Sequence, residues 1–295
     1  MLRRCIVAAT GIALGLGVNG ADGAPARVDP VLAFCGDCRG YEPGGLFTMR
    51  PDGTRFRLFL QEGRNARWAP DGSRLAVEGD GALAGIWTMR ADGGGRRQLS
   101  SSRGDDAPAW SPDGRKIVYV HSRHTMQLWV MAARGGGKHA LMPRKIGDEQ
   151  SPDWSPRGDR IAFNVSPFYG NANGGLYLVK ANGTGVRRLR VEGEIPRWSP
   201  DGLRLAYLVS GAGDYWQVNV LTLRTNRVRS YRVRLNGSAL VWSPDAKSLL
   251  VSAWLPDPLG YSGEHVARLR LRDGHLTLLQ PGRQAGNPIA VDWRR

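Results

Sequence analysis

Apolar residues along this 295-residue chain come in short runs, each closed off by a cluster of Gly, Pro, Asp or Asn. One stretch shows the order. Pro108-Ala109-Trp110 is followed by the breaker Ser111-Pro112-Asp113-Gly114, the run Ile117-Val118-Tyr119-Val120, a polar loop, the run Leu128-Trp129-Val130-Met131, a Gly-rich turn, and His139-Ala140-Leu141. Runs of β-branched and aromatic residues bounded by turn formers predict four short strands. In the breaker, Pro presets φ, Asp can bond its own backbone and Gly accepts positive φ, so a tight hairpin is expected between the first and second strands. A second tight turn is expected at Pro51-Asp52-Gly53, Ala91-Asp92-Gly93, Ala133-Arg134-Gly135, Ala181-Asn182-Gly183 and Arg272-Asp273-Gly274, because Gly after Asp or Asn is a strong hairpin signal. Two tight turns per unit fall on one face, and the longer loops are left for the other.

The unit repeats. Trp68, Trp110, Trp154, Trp198 and Trp242 each open a Trp-Ser/Ala-Pro segment, at intervals of 42, 44, 44 and 44 residues. A constant period of about 40–45 residues filled with short strands predicts propeller blades. Residues 31–60 supply second, third and fourth strands with no Trp strand before them, and Pro288-Ile289-Ala290-Val291-Asp292-Trp293 supplies a first strand with nothing after it. Joining the two predicts an all-β fold: a six-bladed β-propeller of four-stranded antiparallel blades, closed by the C-terminal strand completing the first blade. Pro108, Pro152 and Pro196 sit two residues before a repeat Trp. They fit a first strand that is a sheet edge, where a missing N–H is tolerated. Each Trp is expected to wedge between blades.

The pattern Pro-x-Trp-Ser-Pro-Asp-Gly, then a run such as Ile161-Ala162-Phe163, then Leu176-Tyr177-Leu178-Val179 and Ala-Asn-Gly, resembles the TolB-type β-propeller repeat. The resemblance runs over nearly everything after residue 30 and implies fold more than function. By resemblance, TolB proteins act in the Tol–Pal envelope system, where the propeller meets a peptidoglycan-associated lipoprotein. This chain lacks the N-terminal domain that precedes their propeller, so the resemblance carries over the propeller and its habit of binding.

Composition adds a compartment. Leu2-Arg3-Arg4, an apolar run from Cys5 to Val18 and Ala24-Pro25-Ala26 read as a signal peptide over 1–26. The run is too short for a permanent membrane span. Residues 27–295 are expected to be an exported, periplasmic or extracellular monomer with no membrane span. Cys35 and Cys38 remain, in Cys-Gly-Asp-Cys. In an oxidising compartment they are expected to form a small disulfide. A redox-active pair fits less well, since the motif lies beside a strand and not at a helix start.

Charge and candidate chemistry narrow the function. The chain is +15, and residues 1–26 contribute only Arg3, Arg4 and Asp22, so about +14 remains. Much of it lies in outer strands, as at Arg96 and Arg97, Arg187 and Arg188, and Arg227 and Arg229. Such charge blocks edge-to-edge pairing and also favours an anionic polymer. No Gly-x-Ser-x-Gly elbow, His-Glu-x-x-His or phosphate loop occurs, and no cofactor, metal or catalytic residue is assigned. His121 and His124 share a loop and read as surface histidines. Asp105 and Asp106, Asp148 and Glu149, and Glu192 and Glu194 lie four to six residues before a repeat Trp in three consecutive blades. They are candidates to converge at the channel mouth, for a cation or a basic peptide. Loop residues Tyr41, Arg123, Phe168, Tyr169, Tyr215, Trp216 and Tyr261 form a candidate binding face, since exposed aromatics with Arg make hot spots. The expected function is a non-enzymatic module recruiting a protein or peptide. The alternatives are arginine-rich adhesion to an anionic envelope polymer and a metal-dependent enzyme at the channel mouth.

Overall fold

The Ser-Pro-Asp turns close through their own side chains. Ser111 Oγ donates to Asp113 Oδ1 (2.6 Å) and accepts the Lys116 N–H (2.9 Å), while the Arg115 N–H donates to the same carboxylate (3.0 Å). The same three bonds recur at Ser199, Asp201, Leu203 and Arg204 and at Ser243, Asp245, Lys247 and Ser248. Where Arg157 replaces the Asp, Ser155 Oγ turns to Asp159 instead (2.7 Å). The turn chemistry read from the sequence is therefore carried out by hydroxyl and carboxylate oxygens at fixed offsets.

A computed structural model of the chain describes residues 32–36, 45–50, 54, 57–60, 63–79, 84–166, 174–211, 216–233, 235–256, 262–279 and 289–293. In chain order its strands are β1 (Leu32–Gly36), β2 (Gly45–Met49), β3 (Arg57–Leu60), β4 (Arg64–Trp68), β5 (Arg74–Gly79), β6 (Gly85–Arg90), β7 (Arg97–Gln98), β8 (Asp105–Trp110), β9 (Lys116–Ser122), β10 (Met126–Ala132), β11 (His139–Ala140), β12 (Glu149–Trp154), β13 (Arg160–Val165), β14 (Gly175–Lys180), β15 (Arg187–Arg188), β16 (Glu194–Trp198), β17 (Arg204–Ser210), β18 (Trp216–Thr222), β19 (Arg227–Val233), β20 (Leu235–Trp242), β21 (Ser248–Pro256), β22 (Ser262–Arg270), β23 (Leu276–Leu278) and β24 (Ile289–Trp293). Five blades are each built from four consecutive antiparallel strands: β4–β7, β8–β11, β12–β15, β16–β19 and β20–β23, here blades I to V. A further sheet has the order β24-β1-β2-β3, with Leu32 opposite Trp293, and β24 lies beside both β4 and β20. The architecture is an all-β propeller of four-stranded blades, as the repeat predicts.

The core lies between blades. Each repeat Trp is only 5–9% exposed. Trp110, on blade II, packs with Ala76, Ile86 and Leu99 of blade I, and Trp242, on blade V, with Val218, Val220 and Tyr231 of blade IV. The wedge role holds for the five tryptophans. The prolines at 108, 152 and 196 stand on β8, β12 and β16, each an edge strand of its sheet.

One device is not visible in the repeat. Asn65, Ala107, Ser151 and Ile195, each three residues before a Trp, have φ of 47–53°. The strand register slips at the same place, between Arg64/Arg67, Asp106/Ala109, Gln150/Asp153 and Glu194/Arg197. This is a β-bulge, which inserts a residue and re-aims the side chains before it. It turns the residue four before the Trp to the same side of the strand as the residue one before it.

Candidate channel and its acidic mouth

The residue before each Trp faces the axis. Arg67, Ala109, Asp153 and Asp292, from three blades and the β24 sheet, line a single cavity of about 280 Å³. Arg197, from a further blade, feels the charges of Arg67, Asp153 and Asp292 together. Residues from such distant strands meet only on the axis. Two aspartates and two arginines are held there by one scheme used twice. Asp292 accepts the Trp68 N–H (2.6 Å) and stands 3.8 Å from Arg67, whose carbonyl accepts the Trp110 indole N–H (3.0 Å). Three blades on, Asp153 accepts the Trp198 N–H (2.7 Å) beside Arg197, whose carbonyl accepts the Trp242 indole N–H (2.9 Å). Burial and the neighbouring Arg67 lower the Arg197 pKa, opposed by Asp153 and Asp292. These four charges went unnoticed in the sequence. The signal available was a charge directly before Trp in the first strand of the unit.

At the loop-bearing end of the channel the bulges present Arg64, Asp106, Gln150 and Glu194. Asp106 is the most perturbed carboxyl: its pKa is pushed up to about 7 by burial, then by the charges of Glu78 and Asp105, with Arg64 opposing. Asp105 is 3% exposed and pairs with His121 Nδ1. His121 in turn leans on the Trp129 ring at 4.6 Å. The reading of His121 as a surface residue is thus corrected: it lies within β9, its side chain is 18% exposed, and cross-strand register places it opposite Asp105. Glu78 and Arg64, opposite each other and 3.2 Å apart, were missed because pairing them requires knowing the bulge.

The remaining predicted acids separate. Glu149 is fully buried and accepts the N–H groups of Leu128 (2.8 Å) and Ile146 (3.2 Å), tying blade III to blade II. Burial raises its pKa against those two bonds. Asp148 pairs with Lys145 at 3.0 Å, which, with the Met126 N–H, lowers its pKa. Glu192 lies outward, 85% exposed and 3.9 Å from Arg188. Glu194 is half-buried, and burial raises its pKa. The structure therefore brings Asp105 and Asp106 together with Glu78 and His121, and uses Asp148 and Glu149 for backbone bonds. Among the described residues no group of three or more His, Cys, Asp and Glu is placed to hold a metal.

On the candidate binding face, Arg123 is exposed and Trp216 is half-buried, packed against the core between blades IV and V. Tyr41, Phe168, Tyr169, Tyr215 and Tyr261 lie outside the described residues, as do residues 1–26, Cys38 and the side chain of Cys35. Among the described residues no helix is long and apolar enough to cross a membrane.

No protein-family model and no curated protein matches the chain. Solved structures do. A TolB from Acinetobacter baumannii superposes with a TM-score of 0.74 at 17% identity, over 90% of this chain and 66% of that one. A TolB from Agrobacterium tumefaciens gives 0.62 at 14%, over 85% and 88%. An oligogalacturonate lyase in complex with manganese gives 0.58 at 14%, over 84% and 73%. At these identities the likeness is one of fold, and the chain is similar to TolB-type β-propellers in how its blades are built.

Proposed function

We propose that the chain is an exported, non-enzymatic β-propeller of six blades, the sixth being β24-β1-β2-β3, and that it recruits a protein or peptide through a basic segment at the loop-bearing mouth of its channel. One observation carries the reading. Asp106 is a half-buried carboxyl whose principal charged neighbours are two further carboxylates, Glu78 and Asp105, with only Arg64 in opposition. Such a group is raised in pKa first by burial and then because its charge is under-compensated. A lysine or arginine from a partner, placed there, relieves that deficit and ionises it. The mouth is acidic while the chain as a whole is about +14, so a basic partner is drawn to this place and repelled elsewhere. The fold shared with TolB supports a binding role. Metal-dependent catalysis at the mouth has the manganese-bound lyase fold in its favour, but the described residues offer no ligand set.

The test is affinity capture from envelope extract by residues 27–295, beside Asp106→Asn and Glu78→Gln. A defined protein retained by the wild type and lost with both variants is expected. Equal capture by all three would refute the assignment of the mouth.

A further inference from the structure

The outermost strands of blades I to III are two residues long, whereas β19 of blade IV has seven. Its extra length walls a cleft of about 1270 Å³ between blades IV and V, which shares no residue with the channel mouth. Six cationic side chains line the cleft against two carboxylates. The two carboxylates, Asp201 and Asp245, are occupied: each accepts from a turn serine and a turn N–H. The first four residues of β19 are exposed, Val228 at 42%.

Two arginines in the cleft are set in position. Arg204 lies 4.9 Å over the Trp242 ring, its Nη2 donating to Asp201 (2.8 Å) and the Ala246 carbonyl (3.1 Å). Arg229 lies 5.1 Å over Tyr231, its Nη2 donating to the Arg272 carbonyl (2.9 Å), and Tyr231 is itself fixed by donating to the Leu271 carbonyl (2.6 Å). No carboxylate stands within ion-pair distance of Arg229 or Arg227 among the described residues. A guanidinium seated over a ring, with one nitrogen bound to backbone and no carboxylate paired with it, is pre-organised for a forked oxyanion.

We infer that this cleft binds an acidic glycan, a chain of sugar rings bearing carboxylates or phosphates, independently of the proposed role of the channel mouth. The oxyanions would meet Arg227 and Arg229, and sugar faces the apolar surface of Val220 and Val228. Single-stranded nucleic acid fits less well: Trp242 and Tyr231 are buried, with an arginine over each ring, which leaves no exposed face for a base.

The test is fluorescence anisotropy of residues 27–295 with labelled oligogalacturonate and with a phosphorylated mannan, which separate carboxylate from phosphate. Poly-glutamate and single-stranded DNA serve as competitors. Arg227→Ala/Arg229→Ala is compared with Arg187→Ala/Arg190→Ala, an equal loss of charge at exposed positions on and just after the outer strand of blade III, with thermal melts confirming that both fold. Binding of at least one glycan is expected, weakened about tenfold by the cleft pair, as the loss of two forked contacts implies, and much less by the other pair. Equal weakening by both pairs would show diffuse attraction and overturn the site. Failure of both glycans to bind at low salt, or tighter competition by poly-glutamate or DNA, would overturn the glycan.

Discussion

Gly114 and Gly183 both hold positive φ, 68° and 81°, but their surroundings differ. A Cβ on Gly114 would meet only the Pro70 ring, at 3.9 Å, whereas one on Gly183 would overlap the Leu141 carbonyl oxygen of the neighbouring blade. Ala246 occupies the Gly114 position of its own repeat at φ 55°, so the turn accepts a methyl at the cost of backbone strain. Gly114→Ala is expected to lose about 1 kcal/mol and Gly183→Ala roughly 3 kcal/mol or more, read by urea unfolding. Similar losses would contradict the contact geometry. Asp106 gives a pH signature. Its folded pKa, about 7, lies above its ordinary 3.8, so the folded state holds the proton more tightly. Its contribution favours folding at low pH and is lost as pH rises from about 4 to about 7. Asp106→Asn removes that loss: its stability advantage over wild type should grow between pH 5 and pH 8, by up to about a few kcal/mol, and is read as a widening gap in melting temperature. A constant difference across that range would argue against a raised pKa.

At the level of strands, charges serve as caps between blades. Asp153 both accepts the Trp198 N–H and balances buried Arg197. Asp153→Ala should therefore cost about 3–5 kcal/mol, the penalty for a buried charge left unpaired, and Asp153→Asn, which keeps an acceptor, distinctly less. Equal costs would show that the charge alone matters and that the hydrogen bond adds nothing. The strands and tight turns were legible because Trp-Ser-Pro-Asp-Gly states its chemistry locally. The bulges were not: Asn65, Ala107, Ser151 and Ile195 share a conformation and no side-chain type. Without the bulge, the pairing of Arg64 with Glu78 and the aim of Asp106 could not be read. Asp105 and Asp106, adjacent in the sequence, stand beside His121 and Glu78. Glu149, chosen by the same rule, proved to be a cap on backbone N–H groups.

For the whole molecule, closure through β24 links the two ends of the chain: the Asp292 carboxylate reaches the Trp68 N–H, and β24 touches β4 and β20. A chain ending at residue 280 should unfold at a lower temperature and over a broader range, because blade I loses that bond and β1 its partner. An unchanged melt would mean that closure adds no stability. The distribution of charge divides the molecule in the same way: an acidic mouth at one end of the channel, and cationic rims and cleft outside it. Whether the mouth receives a basic group is decided by the affinity of residues 27–295 for labelled hexalysine from about pH 5.5 to about pH 8.5, spanning the Asp106 titration, beside Asp106→Asn. Affinity that rises through about pH 7 in the wild type and stays low and flat in the variant is the predicted result; affinity that is flat in both, or equal in the two proteins, would contradict it.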